Sequence, residues 1–193
     1  MPGSSVTCSA CGQKHTVTIY PSINVSTNPE LKEKVVSGEV FLTECPHCGH
    51  RDLLKYNMLY HDPEGKLILC LSDAGFRSDG MEGYSCRLVG DAGSLIEKIK
   101  IFDAGLDDIT IEICKLVTCQ ELGKEVELRF FKMEGADNEL IFTYPENGSM
   151  QMVSVGFNVY EDCAGIVQRN PQMKEGASGL ARVDRQWLSA YIG

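Results

Sequence analysis

Basic charge is scarce in this chain: 18 Lys and Arg stand against 27 Asp and Glu, a formal net charge of −9. Residues 1–62 hold five Lys/Arg (Lys14, Lys32, Lys34, Arg51, Lys55) against six Asp/Glu, and the rest is more acidic still. Neither part offers a phosphate-binding surface, so nucleic acid is disfavoured as a partner. Only a local clustering of Lys14, Arg51 and Lys55 would restore it. Long apolar runs are also missing; none approaches the roughly 20 residues that cross a bilayer. The N-terminal MPGSSVT has no basic segment leading into an apolar core, and cleavage of a signal peptide there would remove Cys8. Pro2 stands where N-myristoylation needs Gly. The expected location is the cytoplasm, with no membrane association. No H-E-x-x-H, G-x-S-x-G, D-x-D-x-D-G, G-x-G-x-x-G or P-loop lysine occurs, so no catalytic residue is nominated.

Cysteine, by contrast, is plentiful. There are nine, an odd number that does not suit a small secreted disulfide framework. Cys70, Cys86, Cys114, Cys119 and Cys163 are scattered, mostly in apolar surroundings, as buried thiols are. The other four form two C-x-x-C-G units, Cys8-Ser9-Ala10-Cys11-Gly12 and Cys45-Pro46-His47-Cys48-Gly49. Two intervening residues bring both sulfurs of a pair to one side of a tight turn. The following Gly can take a positive φ without a Cβ clash, which turns backbone N–H groups toward the thiolates. Pro46 fixes φ within its turn.

Two such turns facing each other make a tetrahedral S₄ cage, the chemistry of a closed structural zinc site, with Cys8, Cys11, Cys45 and Cys48 as ligands. Iron in the same cage is the second reading. A redox C-x-x-C pair would want a low-pKa thiol at a helix N-terminus, and neither pair is followed by a convincing helix. With four thiolates in place, His47 and His50 are not expected to ligate; His15 and His61 carry no signal. The pairs are separated by 33 residues, more than the usual 15–20 or so. Within the gap, TNPELKEKVVSG (27–38) reads as a helix with Asn28 as N-cap, Pro29 at N1 and Gly38 as its stop. Strand-like runs flank it at 15–25 and 40–44, with another at 53–60. The helix is thus an insertion in a ribbon.

The run CSACG (8–12), then SINVSTNPELKEKVVSGEVFLTECPHCGH (22–50), then LLKYNMLYHD (53–62) resembles the CpXC family of prokaryotic proteins. That family is named for two cysteine pairs, the second containing a proline. The resemblance covers roughly residues 6–70, and LIEKIKIFDAGLDDITIEICKL (95–116) is similar to the next stretch of some longer members. The first pair departs from the pattern with Ser9-Ala10. The resemblance implies a metal-binding module and supplies no catalytic residues.

The expected fold class is α+β: a zinc-ribbon-like module with a helical insertion (1–72), a Gly-rich connection with a short strand at 84–89 (73–93), and an antiparallel sheet covered by helices (94–193). Leu95, Ile99, Phe102, Leu106, Ile109, Ile113 and Leu116 step by three and four, with a break near Gly105. They predict two helices or one kinked helix that cover a sheet; a homodimer through this face is the alternative. Strands are expected at 124–133, 138–145 and 149–160, then a helix at 162–170 capped by Asp162, a loop at 171–179, and a last helix at 183–192 with Asp184 as N-cap and Trp187 as buried anchor. Asp107 and Asp108 read as a solvated first turn. Cys163, Asp162 and His61 are a conceivable but unsupported catalytic grouping. The first functional reading is a zinc-binding protein whose Cys₄ site is structural and whose partner is another protein. The alternatives are a nucleic-acid-binding zinc ribbon and an enzyme with an unrecognised site in residues 94–193.

Overall fold

The computed structural model describes residues 3–72 and 81–192; part of the 73–93 connection lies outside them. Two antiparallel hairpins come first in the architecture: β1 (Gly3–Thr7) with β2 (Lys14–Thr18), and β4 (Leu42–Glu44) with β5 (Arg51–Leu53). Each runs straight into a C-x-x-C turn. Between them stands α1 (Pro29–Val36), with Pro29 at its first position and Gly38 at φ +79 just beyond its end. The chain then makes a single 3₁₀ turn at Glu39–Phe41. The helical insertion is therefore where Pro29 and Gly38 place it, while Asn28 precedes it without a side-chain capping bond.

The two strand-like runs that leave the ribbon each split in two. After β2, Pro21 ends the hairpin and β3 (Ser22–Asn24) turns away; after β5, the chain re-enters a strand as β6 (Met58–Asp62). These pair with each other in parallel, Ile23 opposite Tyr60, at one side of a five-stranded mixed sheet. Its order is β3, β6, β7 (Leu67–Leu71), β8 (Ser85–Val89) and β12 (Leu180–Ala181). β6 and β7 are antiparallel; β7, β8 and β12 run parallel. The sheet thus takes strands from all three expected segments. Every residue of β7, LILCL, is buried, as a continuous apolar run in a central strand requires.

The expected break near Gly105 (φ +70) separates α2 (Ala92–Asp103) from α3 (Asp108–Leu122). α2 lies between two cores. Leu95 and Ile99 pack with Leu67, Leu69, Leu71 and Val89 of the mixed sheet, while Ile101 joins the second core. That second core covers an antiparallel sheet of β9 (Arg129–Glu134), β10 (Glu139–Glu146) and β11 (Ser149–Val155), in which Phe130 meets Phe142 edge-on. Helices over an antiparallel sheet are as predicted.

The C-terminal third departs from prediction at its boundaries. The strand expected at 149–160 stops at Val155, and α4 (Phe157–Arg169) begins where strand was expected to continue. Val153, Val155, Phe157 and Val159 alternate like a strand, but Phe157, Tyr160, Cys163 and Val167 also fall on one helical face, and that face meets the core. Asp162 is consequently inside the helix, not at its cap. The expected loop 171–179 contains α5 (Pro171–Gly176), and the last helix is only α6 (Arg185–Leu188). Asp184 does cap it, accepting from the Trp187 amide at 2.8 Å. Leu188 is the buried anchor there; Trp187 is half-buried against Tyr191. No helix of the described residues is long and apolar enough to cross a membrane.

Candidate metal centre and a buried charge network

The two C-x-x-C turns fold alike. In the first, the Cys8 amide donates to the Gln13 carbonyl (3.0 Å) and the Gly12 amide to the Cys8 carbonyl (3.0 Å). In the second, the Cys45 amide donates to His50 (2.8 Å) and the Gly49 amide to Cys45 (2.8 Å). Gly12 and Gly49 sit at φ +71 and +72, the left-handed region that a side chain would strain. This geometry aims amides at sulfur: Gln13 toward Cys11, His47 and Cys48 toward Cys45, and His50 toward Cys48.

The hairpins bring all four sulfurs together. Cys8 Sγ lies 3.7 Å from Cys48 Sγ, and Cys11 Sγ lies 3.7 Å from Cys45 Sγ. The four atoms fall within 4.8 Å of one another, and none is in a disulfide. A tetrahedron with metal–sulfur bonds of about 2.3 Å has edges of about 3.8 Å, so the cluster has the dimensions of an S₄ metal cage. Cys8 and Cys45 are buried, and Cys11 and Cys48 form its exposed side. The protons are already unequally shared. Desolvation opposes ionisation of Cys45, yet the donated amides and the neighbouring thiols bring it down to about 7. Cys48 is pushed up to about 12: the His50 amide favours its thiolate, but desolvation and its donation to the other sulfurs outweigh that. A metal entering such a site displaces the remaining protons.

Contacts between the hairpins hold the cage shut. Asp52 of β5 accepts from the Ser9 amide at 3.1 Å and from the Ser9 hydroxyl, and these bonds hold its carboxyl below the usual carboxylate range. His15 Nε2 lies 3.3 Å from Thr43 Oγ1 across the same gap. Asp52 and His15 escaped sequence reasoning, because only the folded pairing brings them opposite the other turn. His47 and His50 are exposed and lie outside the four-sulfur cluster. His50 Nε2 approaches Asp52 at 3.6 Å. Arg51 is paired with Glu44 at 3.0 Å.

A family model described as CpXC protein matches residues 6–115. The chain belongs to the CpXC family. The match takes in both cysteine turns, the mixed sheet through β8, α2 and the first half of α3. No curated protein and no solved structure matches the chain.

The second half of this CpXC chain contributes a feature that runs against the expectation from sequence. Asp107 and Asp108 are not a solvated first turn. Asp107 caps α3, accepting from the Thr110 amide at 2.9 Å, while Asp108 is fully buried. Arg87 of β8 grips Asp108 with both Nε (2.8 Å) and Nη2 (3.0 Å), and Lys98 Nζ adds a third bond at 2.8 Å. Burial opposes the Asp108 charge, but Lys98 and Arg87 prevail and hold its pKa below the usual range. Arg87 also donates to the Ala177 carbonyl and Lys98 to that of Val183, so one carboxylate ties β8, α2 and α3 to the 177–183 segment. The network runs on through Glu112, Lys115 and Glu97 to the Phe130 amide. It borders a cavity of about 480 Å³. Cys163 is buried on α4 against Cys114, whereas His61 sits on β6 near Tyr84. No Cys163–Asp162–His61 grouping forms. Cys70, Cys86, Cys114, Cys119 and Cys163 are all buried and free.

Proposed function

We propose that Cys8, Cys11, Cys45 and Cys48 hold one zinc ion, that the ion is structural, and that the ribbon it stabilises presents a surface to a protein partner. The observation that carries this reading is the four-sulfur tetrahedron itself. Four thiolates fill the coordination sphere and leave no open position for substrate or water, which is the signature of a structural site. Zinc suits such a cage without any redox role; iron would fit the same geometry and is the competitor. Nine cysteines with no disulfide among them fit a reducing compartment such as the cytoplasm. A surface for protein contact is offered by Leu42 and Leu53, which face each other across β4 and β5 and are 52% and 58% exposed. Nucleic acid is the weaker partner, since Arg51 is engaged by Glu44 and the chain is acidic.

Elemental analysis of protein expressed in medium holding both zinc and iron tests the metal. The expected result is about one zinc per chain, lost in Cys11→Ser or Cys45→Ser. Iron in the wild-type protein, or full metal retention in both variants, overturns the assignment. For the partner, affinity capture with wild type is compared with Leu42→Asp/Leu53→Asp. A captured protein that the double variant still retains removes this face from the reading.

A further inference from the structure

We propose that the cavity beneath Arg182–Gln186 is a binding site for a primary amine with an apolar tail. This goes beyond the metal reading and does not depend on it. The space, about 480 Å³, is of the size that encloses small organic ligands. Its walls are apolar, from Leu88, Val89, Leu116, Val126, Leu128 and Val183. Its floor is charged. Glu97 and Glu112 line it while being only 6% and 4% exposed.

The unused bonding capacity of that floor is of one kind. Lys115 Nζ donates to Glu112 Oε1 (2.8 Å) and Glu97 Oε1 (3.1 Å), and the Phe130 amide adds a bond to Glu97 Oε1 (2.8 Å). The Oε2 atoms of both carboxylates accept no hydrogen bond from any described residue; Arg129 Nη1 stands 4.0 Å from that of Glu97. The lysines, by contrast, are engaged: Lys98 by Asp108 and the Val183 carbonyl, Lys115 by the two glutamates. What a ligand meets is therefore a pair of acceptor oxygens, one on each carboxylate, open to the cavity. An ammonium group, with three donors and no acceptor, is their complement. Burial holds Glu112 above the usual carboxylate range despite Lys115 and Lys98, with Glu97 adding to the effect. Arg87, Lys98 and Lys115 match Asp108, Glu97 and Glu112 in number, so it is the open carboxylate oxygens, not an excess of negative charge, that favour a donor-only group. At the mouth, Glu125 is paired with Arg185 at 2.9 Å, and Asp91 and Glu127 with Arg129 at 3.4 Å and 2.6 Å, while Asp184 and Arg182 complete the rim.

The test is a titration of the full-length protein with phenethylamine, followed by NMR amide shifts. Hydrocinnamate and phenylpropanol serve as the matched anion and neutral ligand. Saturable shifts are expected at Leu88, Leu128, Phe130 and Val183 with the amine alone. Glu112→Gln is expected to weaken binding about tenfold or more. Leu116→Trp, which fills the cavity from its half-buried wall, is expected to abolish it. The proposal is overturned if hydrocinnamate or phenylpropanol binds as tightly as the amine. It fails equally if the amine's shifts spread over the acidic surface and fade with salt, or if none saturates by about 10 mM. Should Glu112→Gln not fold, Leu116→Trp decides alone, and retained binding there defeats the site.

Discussion

In the two hairpins that carry the cysteines, the four strands bury a single residue, Val17. In β7 of the mixed sheet, all five residues are buried. The hairpins hold their shape through backbone ladders, the Asp52 and His15 bridges and four sulfurs at one point. The body holds its shape through two apolar cores with α2 pressed between them. The difference shows what each kind of cohesion permits. In small zinc modules with so little core, the metal contributes on the order of 10–16 kcal/mol to folding, and an ion on the four sulfurs, as proposed, would do the same for this ribbon. A body with ample core can carry the desolvation of Asp108 and its partners, which packing alone would not favour.

The largest expected effect separates the two regions outright. Chelation of the metal, followed by hydrogen exchange, is expected to abolish protection over 3–18 and 42–53 while β7 and α3 keep theirs; uniform loss would show that the body depends on the ion as well. Next comes Asp108→Asn, which leaves Arg87 and Lys98 buried without their counter-charge. It is expected to cost about 3–5 kcal/mol in urea unfolding with the metal content unchanged. Its pH signature has a definite sign. The folded pKa of Asp108 lies below its unfolded value of about 3.9, so its contribution is complete above that pH and is lost as the pH falls further. The variant should be flatter than wild type below about pH 4. Smaller again is Gly49→Ala, which forces a side chain to φ +72 at the second turn and is expected to cost about 1–2 kcal/mol, read as weaker metal retention in competition with a chelator. The smallest is Glu44→Gln. Its ion pair with Arg51 is solvent-exposed on both sides, and no resolvable change in the unfolding midpoint is expected.

The same contrast governs what could be read from the sequence. The cysteine turns were legible because each is encoded within five residues, and the position of α1 was legible because Pro29 and Gly38 punctuate it. The α2–α3 break was legible because a glycine interrupts a clean three-and-four spacing. Pairings over long separations were not legible. Nothing local marks β3 as the parallel partner of β6, or β12 as the partner of β8 some 90 residues earlier in the chain. The ribbon-like runs at 15–25 and 53–60 conceal the points where the chain leaves one sheet for another. Asp108 misled for a related reason. An Asp in a first turn is ordinarily a solvated group that favours the helix N-terminus. Its burial is decided by Arg87 and Lys98, which only tertiary structure brings to it. Glu97, Glu112 and Lys115 escaped notice in the same way, as polar residues within apolar helices.

The shortness of the outer strands in the mixed sheet shields that sheet from strangers in the crowded cell. β3 has three residues and β12 only two, so each end of that sheet offers almost no open ladder on which a stranger could continue it. The segment with the greatest appetite for such pairing, LILCL, is enclosed on both flanks by β6 and β8. A change that peeled away either margin would uncover a longer strand, and the first symptom would be clumping during expression, ahead of any loss of thermal stability.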